Sequence, residues 1–286
     1  AIMRERISAD LAIDTLGYGE PRAIGDARVS LHPAGHVIGS AQVRVEVDGA
    51  VWVVTGDFKR DPDPTCAPFE VVPCDVLITE ATFALPIYRW RSGAEVAAEI
   101  DDWWRHCAQR GQTAVLFCYA LGKAQRVLAE LAALRGERPG AIALHGAMER
   151  LIALYREQGV TMADTMPLRD WPADADLTQA LVLAPPSAAG SPWMRRFPKH
   201  STGFVSGWMR VRGNRRRRGY DRGFVLSDHA DWPSLLQTVH DSGAQRVLAT
   251  HGKTDVLVRY LREQGIDAAE LATRYGEGLG DADESS

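Results

Sequence analysis

The chain has 286 residues, of which 45% are hydrophobic and 24% are charged, and its net charge is −4. This composition is typical of a globular protein with one large or two ordinary domains. No apolar run approaches the roughly 20 residues that a membrane-spanning helix needs, so we expect no membrane association. The four cysteines form no C-x-x-C pair, which favours reduced thiols in a cytoplasmic protein over disulfides or a zinc knuckle.

The first predicted elements are the tail of a helix and a β-hairpin. The residues A-I-M-R-E-R-I predict a helix, and no capping residue precedes them. We therefore expect the chain to begin inside this helix. A strand is predicted at 28–31. Two alternating apolar runs, 41–47 and 51–55, then flank Asp48-Gly49. Asp-Gly between such runs is the strongest short-range signal for a hairpin.

The remaining chain predicts a buried strand at 75–79 and then alternating helices and strands from residue 86 onward. Such a β-α-β-α succession implies parallel strands with right-handed crossovers. Further strands are predicted at 113–119, 141–144, 180–184, 202–209, 223–226 and 246–250, with helices at 123–134, 148–158 and 254–264.

Five polar side chains are predicted to share one placement, on a loop beside an apolar β-run: His36, Asp57, Glu80, His229 and His251. Imidazole and carboxylate groups are ligands that suit zinc. For Glu80, a position just past a buried strand is where α/β proteins tend to place chemistry, although a solvated loop charge fits that position equally well. His32 stays open, and the other histidines are interpreted as surface or core residues.

Basic residues are concentrated late in the chain. Ten of the 33 lysines and arginines lie between Trp193 and Arg222, against a single acidic residue, Asp221. A concentrated patch matters more for phosphate binding than total charge, so we predict a nucleic-acid track on which an exposed tryptophan could stack on a base. The alternative is a solvated hairpin. The candidate residues are Arg195, Arg196, Arg210, Arg212, Arg215, Arg216, Arg217 and Arg218.

Five motifs in order resemble those of the β-CASP branch of the metallo-β-lactamase superfamily: H-P-A-G-H-V-I-G-S-A, T-G-D-F-K-R, I-T-E-A-T-F, L-S-D-H-A-D-W and A-T-H-G-K-T. Two further motifs, F-C-Y-A-L-G-K-A-Q-R and A-P-P-S-A-A-G-S-P-W-M-R-R, resemble the bacterial ligase-associated DNA exonucleases within that branch. The resemblance covers essentially the whole chain.

The resemblance implies an α/β fold with a four-layer αββα metallo-β-lactamase sandwich. The two parts of this sandwich would be residues 1–84 and 222–286. An inserted α/β β-CASP domain at 85–221 would cap the site, and a polynucleotide strand would lie in the cleft between the two domains.

The resemblance also implies roles for the five polar side chains. His36, Asp57 and His251 would be zinc ligands, with Asp57 bridging two zinc ions and so also catalytic. Glu80 and His229 would form a catalytic pair beside the metals. Zinc lowers the pKa of bound water towards about 7, which suits phosphodiester hydrolysis at neutral pH.

One motif of the family is missing. The H-x-H-x-D-H sequence, which supplies most of the zinc ligands, does not occur in these 286 residues. We expect an incomplete N-terminus, and the alternative is a degenerate relative that has lost the metals. The 286-residue chain is therefore predicted to bind metal weakly and to show little or no hydrolysis.

The function implied by the resemblance is a zinc-dependent DNA exonuclease in repair, linked to an ATP-dependent DNA ligase and a helicase. One alternative is an RNA 3′-end processing nuclease. Another is a non-catalytic nucleic-acid-binding relative, if the H-x-H-x-D-H motif is truly absent. A small-molecule β-lactamase or thioesterase is disfavoured, because neither needs the inserted domain or the basic run.

Overall fold

The computed structural model describes residues 1–172, 174–211, 213 and 219–271. The described residues divide into two compact units. Unit 1 contains Ala1–Leu11 and Trp90–Ser227, and unit 2 contains Ala12–Arg89 and residues 228–271. None of the helices in the described part of the chain is long and apolar enough to cross a membrane.

The described helices and strands, in chain order, are α1 (Ile2–Arg6), β1 (Arg22–Ile24), β2 (Ala27–Pro33), β3 (Ala41–Val47), β4 (Ala50–Val54), β5 (Val76–Ala81), α2 (Gly93–Gln109), β6 (Thr113–Phe117), α3 (Lys123–Ala133), β7 (Ile142–Leu144), α4 (Gly146–Glu157), β8 (Thr165–Pro167), β9 (Leu181–Ala184), β10 (His200–Val205), β11 (Arg222–Phe224), α5 (Trp232–Ser242), β12 (Arg246–Gly252), α6 (Thr254–Glu263) and β13 (Asp267–Glu270).

Unit 2 is built on a seven-stranded sheet in the order β1-β2-β3-β4-β5-β12-β13. Strands β1 to β4 pair antiparallel, whereas β4, β5, β12 and β13 pair parallel. The turn between β3 and β4 has positive φ at Asp48 (51°) and Gly49 (75°). This pair of left-handed residues is what a two-residue hairpin turn matched to the twist of the strands requires. The predicted hairpin is confirmed.

One face of this sheet packs on helices α5 and α6. Val53, Leu77 and Val247 are at most 1% exposed and belong to one apolar cluster with Leu235 and Leu257 from those helices. Burying apolar side chains of this size stabilises a fold by roughly 1.5–3 kcal/mol each. This packing fixes the carboxyl ends of β5 and β12 in unit 2.

Helix α5 begins and ends with residues suited to each position. The Asp231 side chain accepts a hydrogen bond from the Ser234 backbone N–H at 3.0 Å, and Pro233 lies in the first turn, where its missing N–H costs nothing. Gly243 ends the helix in the left-handed conformation. The start of α5 is therefore well defined, three residues after His229.

Unit 1 is built on a six-stranded sheet in the order β11-β10-β6-β9-β7-β8, and all its strand pairs are parallel. This confirms the prediction from the β-α-β-α succession. All five residues of β6 are buried, as expected of a strand covered on both faces.

Several predicted strand ends are wrong. The strands predicted at 113–119 and 223–226 end at Phe117 and Phe224. Strand β5 continues through Glu80 to Ala81, and β12 continues through His251 to Gly252, because the parallel ladder between the two strands runs on with a bulge at His251. Glu80 and His251 therefore lie in strands and not on loops. The strand predicted at 202–209 ends at Val205, because the Ser206 hydroxyl accepts from the Trp208 N–H and starts a 3-10 turn over Gly207–Arg210.

The observed architecture is thus a mixed α/β fold. An αββα sandwich has two facing sheets, whereas the described residues of unit 2 form one sheet with helices on it. The sandwich and the three domain segments stay predictions.

Candidate metal centre

Three side chains of unit 2 converge at one point. His36 comes from the β2–β3 loop, Asp57 from the segment after β4, and His229 from the turn before α5. One ligand atom from each lies within 4.8 Å of the others. His36 Nε2 is 3.9 Å from Asp57 Oδ2, and His229 Nδ1 is 4.0 Å from Asp57 Oδ1.

The His36 ring is held in one orientation. Its Nδ1 lies 2.9 Å from the carbonyl oxygen of Asp228, and its backbone N–H donates to the Ser40 hydroxyl at 3.1 Å. A carbonyl oxygen can only accept, so Nδ1 carries the hydrogen and the Nε2 lone pair of the neutral ring faces Asp57. A backbone carbonyl on the far ring nitrogen is the arrangement typical of a metal-ligating histidine.

Asp57 is the accessible carboxylate of the group. Its side chain is 52% exposed. It follows Gly56, whose φ of 55° turns the chain sharply at the end of β4. Its Oδ2 lies towards His36 Nε2 and its Oδ1 towards His229 Nδ1, and the centroids of the two imidazole rings are 4.7 Å apart. A cation bound by His36 Nε2 could therefore also contact this carboxylate.

Glu80 is 3% exposed and accepts hydrogen bonds from different elements. The Phe58 backbone N–H donates to Oε1 at 2.8 Å, and His229 Nδ1 donates to Oε2 at 2.9 Å. Burial disfavours the charged carboxylate, but the charge of His229 and the hydrogen bonds from His229, Thr82 and Phe58 outweigh it, so the pKa of Glu80 lies below its ordinary value of 4.5. The Nδ1 of His229 is therefore used in the hydrogen bond to Glu80, and Nε2 is the nitrogen through which that ring can act.

His251 is not one of the three residues whose ligand atoms lie within 4.8 Å of one another. It lies in β12 at the bulge opposite Glu80 and Ala81, with an exposed side chain whose Nδ1 is 3.1 Å from the Thr250 hydroxyl. Its φ of 56° is left-handed, which is uncommon for a residue with a Cβ atom. The structure thus brings His36, Asp57, Glu80 and His229 together, while the role of His251 stays a prediction.

The described arginines of the predicted nucleic-acid track lie in unit 1. Arg195 and Arg196 are exposed on the 3-10 turn Pro192–Arg196, and Arg196 donates to the Leu168 carbonyl at 3.0 Å. Arg210 is exposed at the end of Gly207–Arg210. The other candidates, Arg212 and Arg215 to Arg218, lie outside the described residues. Trp193 and Trp208 are partly buried against the core of unit 1.

Sequence reasoning missed two backbone groups that contact site residues, the Asp228 carbonyl under His36 and the Phe58 N–H on Glu80. It also missed a buried ion pair between Lys59 and Asp63. The spacing of Lys59 and Asp63, four residues apart in K-R-D-P-D, was the one signal available.

The donor set fits a divalent cation. Imidazole and carboxylate groups are the nitrogen and oxygen donors that zinc prefers, and the His36 tautomer leaves the correct ring atom available. Since His229 Nδ1 is committed to Glu80, the strongest ligand candidates in the converging group are His36 Nε2 and Asp57.

No family model matches the chain. A probable DNA ligase from Opitutus terrae is 33% identical over 270 residues, which cover 94% of this chain and 26% of that protein. Cleavage and polyadenylation specificity factor 73 of Drosophila melanogaster is 34% identical over 118 residues, covering 41% of this chain and 17% of that protein. Endoribonuclease ysh1 of Aspergillus fumigatus is 32% identical over 119 residues, covering 41% and 13%.

Among solved structures, a protein of unknown function from Enterococcus faecalis V583 aligns with a TM-score of 0.58 over 93% of this chain and 67% of its own. At 11% identity this shows a likeness of fold alone. The chain spans about a quarter of the similar ligase and less of the two other relatives. Together with the ordered motifs, these similarities confirm that the chain is a relative of the β-CASP branch of the metallo-β-lactamase superfamily.

Proposed function

We propose that this protein is a zinc-dependent phosphodiesterase acting on polynucleotides: a cytoplasmic DNA exonuclease in repair that works with an ATP-dependent DNA ligase, and by extension with a helicase. The observation that carries the proposal is the convergence of His36, Asp57 and His229 on one point, with Glu80 behind His229. The similarity to a probable DNA ligase over 94% of the chain supports the link to ligation.

The proposed domain identities follow from the position of this cluster. Unit 2, which holds the proposed metal ligands and the Glu80–His229 pair, would be the metallo-β-lactamase domain, divided in sequence. Unit 1, with its parallel sheet, would be the β-CASP insert and would carry the basic residues that grip the phosphates.

The proposed ligands are His36 through Nε2, Asp57 through its exposed carboxylate as a bridge between two ions, and His251 at the end of β12. A divalent cation bound there would supply Lewis acidity, neutralising charge on the phosphodiester. The protein itself would orient the His36 ring through the hydrogen bond to the Asp228 carbonyl and keep the Asp57 oxygens accessible.

His229 and Glu80 would handle the proton of the leaving group. Glu80, held ionised, accepts from His229 Nδ1 and so orients the ring with Nε2 outward. His229 Nε2 would then donate a proton to the leaving oxygen. A positioned acid of this kind contributes typically 10²–10⁴-fold to a rate.

The test is a cleavage assay on matched DNA and RNA strands labelled at either end, with Zn²⁺ or Mn²⁺ and with a chelator as control. The complete gene product is expected to degrade DNA from an end, and Asp57→Asn is expected to abolish this while the exposed-residue control Asp102→Asn does not. The 286-residue chain is expected to show little turnover. Metal-independent cleavage, or no cleavage of either polymer, would refute the proposal.

Two rival functions have their own support. The identity with cleavage and polyadenylation specificity factor 73 over 118 residues favours an RNA 3′-end processing nuclease, and preferential RNA cleavage in the same assay would select it. A true absence of H-x-H-x-D-H, which does not occur in these 286 residues, would favour a non-catalytic nucleic-acid-binding relative. Binding of DNA without cleavage by the complete gene product would select that alternative.

A further inference from the structure

The dipeptide Phe58-Lys59 connects the segments that carry the site residues of unit 2. The Phe58 N–H donates to Glu80 Oε1 at 2.8 Å, and the Ala230 N–H, next to His229, donates to the Phe58 carbonyl at 2.6 Å. The Lys59 N–H donates to the Ala34 carbonyl at 3.0 Å, at the start of the His36 loop. Asp57 itself precedes the dipeptide. A shift of these two residues would therefore move every member of the cluster.

The His36 loop also touches Lys59 closely. A Cβ atom placed on Gly35 would lie 2.3 Å from the Lys59 carbonyl oxygen, and Gly35 has a φ of 72°. Only glycine tolerates both the contact and the conformation. The Lys59 backbone and the residue preceding His36 are thus packed against each other with no space between them.

The Lys59 side chain anchors this junction in the interior. It is fully buried, and its Nζ lies 2.9 Å from Oδ2 of Asp63, whose side chain is 3% exposed. The other Asp63 oxygen accepts from the Thr65 N–H at 2.9 Å and the Thr65 hydroxyl at 2.6 Å. Thr65 is itself buried. The anionic partner is therefore held in one place by the turn that follows.

A buried ion pair is a poor way to gain stability. The cost of removing two charges from water is often as large as their attraction, and well-packed neutral residues frequently serve as well or better. What such a pair supplies is a specific geometry, because any displacement leaves a buried charge without its partner. At this junction, the geometry that it fixes is that of the segment from Asp57 to Lys59.

We propose that the buried Lys59–Asp63 ion pair is a positioning device for the candidate metal centre, holding the Phe58-Lys59 junction so that Asp57, Glu80, His229 and the His36 loop keep their relative placement. The inference rests on the proposed function only in naming the cluster a metal centre. Lys59 is a positioning residue, since its ammonium group is buried in the ion pair and acts on the cluster through the backbone.

The test compares Lys59→Met with the double variant Lys59→Met/Asp63→Asn. The single variant leaves the Asp63 carboxylate buried without its cation and is expected to lose stability. The double variant removes both charges and keeps an oxygen for Thr65, so its stability should return towards that of the wild type. The partly exposed pair Arg44–Glu46 on β3, at 3.0 Å, gives the control Arg44→Met/Glu46→Gln.

Two measurements on the double variant decide the matter. Amide hydrogen exchange in the 286-residue chain should be at least about tenfold faster at Phe58 and Ala230, while Val53 and Val247 in the sheet stay unchanged. The Zn²⁺ affinity of the complete gene product should fall roughly 10–100-fold, as for other groups that orient metal ligands. If the double variant does not fold, Asp63→Asn alone is measured in the same way.

The inference is overturned if a folded double variant has wild-type amide exchange at Phe58 and Ala230, or if it has wild-type Zn²⁺ affinity. The Lys59–Asp63 ion pair would then be a structural feature only. A wild-type protein that binds no Zn²⁺ would instead refute the proposed function. In that case amide exchange alone decides whether the ion pair positions the cluster.

Discussion

Nδ1 of His229 lies 2.9 Å from Oε2 of Glu80, although 149 residues separate the two in the chain. The carboxylate comes from the centre of a sheet and the ring from the turn before α5. Because Glu80 is buried and also accepts from the Phe58 N–H, it cannot turn away from His229 without leaving a polar group unsatisfied. The pair therefore fixes which nitrogen of His229 faces outward.

Replacing Glu80 with Gln is expected to change how stability depends on pH. The pKa of Glu80 is lowered in the fold, so its contribution is present above the unfolded-state pKa and is lost as the pH falls through the lowered folded-state pKa. Urea unfolding at a series of pH values below about 5 should show a shallower decline for Glu80→Gln than for the wild type.

The control for that experiment is Glu99→Gln on the surface of unit 1, where the carboxylate pairs with Arg91 at 2.8 Å and is partly exposed. A surface pair contributes little, so its pH profile should follow the wild type. If Glu80→Gln gave the same profile as this control, Glu80 would not be held ionised in the way described.

Replacing Asp57 with Asn is expected to lower metal affinity without lowering stability. The Asp57 side chain is 52% exposed, and surface substitutions usually stay within about 0.5 kcal/mol. Loss of the only charged donor among the proposed ligands at the convergence point should weaken Zn²⁺ binding at least tenfold, measured by chelator competition alongside urea unfolding. Unchanged Zn²⁺ affinity in a stable Asp57→Asn protein would remove Asp57 from the ligand set.

His251 holds a strained conformation that a functional role would explain. Its φ of 56° costs a non-glycine residue roughly 1–2 kcal/mol, and such strain tends to persist at functional sites. His251→Gly should therefore be more stable than His251→Ala by about 1 kcal/mol, because alanine keeps the strain and glycine relieves it. Both variants should bind Zn²⁺ less tightly than the wild type.

Equal unfolding free energies for the glycine and alanine variants would show that the His251 backbone is not strained. Wild-type Zn²⁺ affinity in both variants would remove His251 from the ligand set. The two results are independent, so the backbone conformation and the ligand role are tested separately.

The basic segment is expected to govern binding to DNA. Replacing Arg215 to Arg218 with Ser should weaken binding of single-stranded DNA and flatten its dependence on salt, by roughly 0.7 in the log–log slope for each phosphate that the protein no longer neutralises. Arg259→Ser, on an exposed turn of α6 where the guanidinium pairs with Glu263, is the control. An unchanged slope would identify the segment as a solvated surface without a role in binding.

Some features of unit 2 could be predicted because their cause is local. The β3–β4 hairpin follows from Asp48-Gly49 between alternating apolar residues, and both turn residues have the expected positive φ. The parallel sheet of unit 1 follows from alternating helices and strands, since that succession leaves little other choice.

Other features depend on partners far away in the sequence. Strand β5 extends to Ala81 because β12 supplies its ladder partner about 170 residues later. The tautomer of His36 is set by a carbonyl 192 residues away. The local sequence pattern reveals neither of these distant partners. The prediction that Glu80 and His251 lie on loops was therefore wrong, and the hydrogen-bond partners of the His36 and His229 ring nitrogens could not be predicted.

The most direct test of the metal centre is X-ray diffraction at the zinc absorption edge on crystals of the complete gene product grown with Zn²⁺. We predict an anomalous peak about 2.0–2.2 Å from both His36 Nε2 and an oxygen of Asp57, with His229 Nδ1 still bonded to Glu80. Zinc found only at other places on the protein, with no density between His36 and Asp57, would contradict the proposed centre.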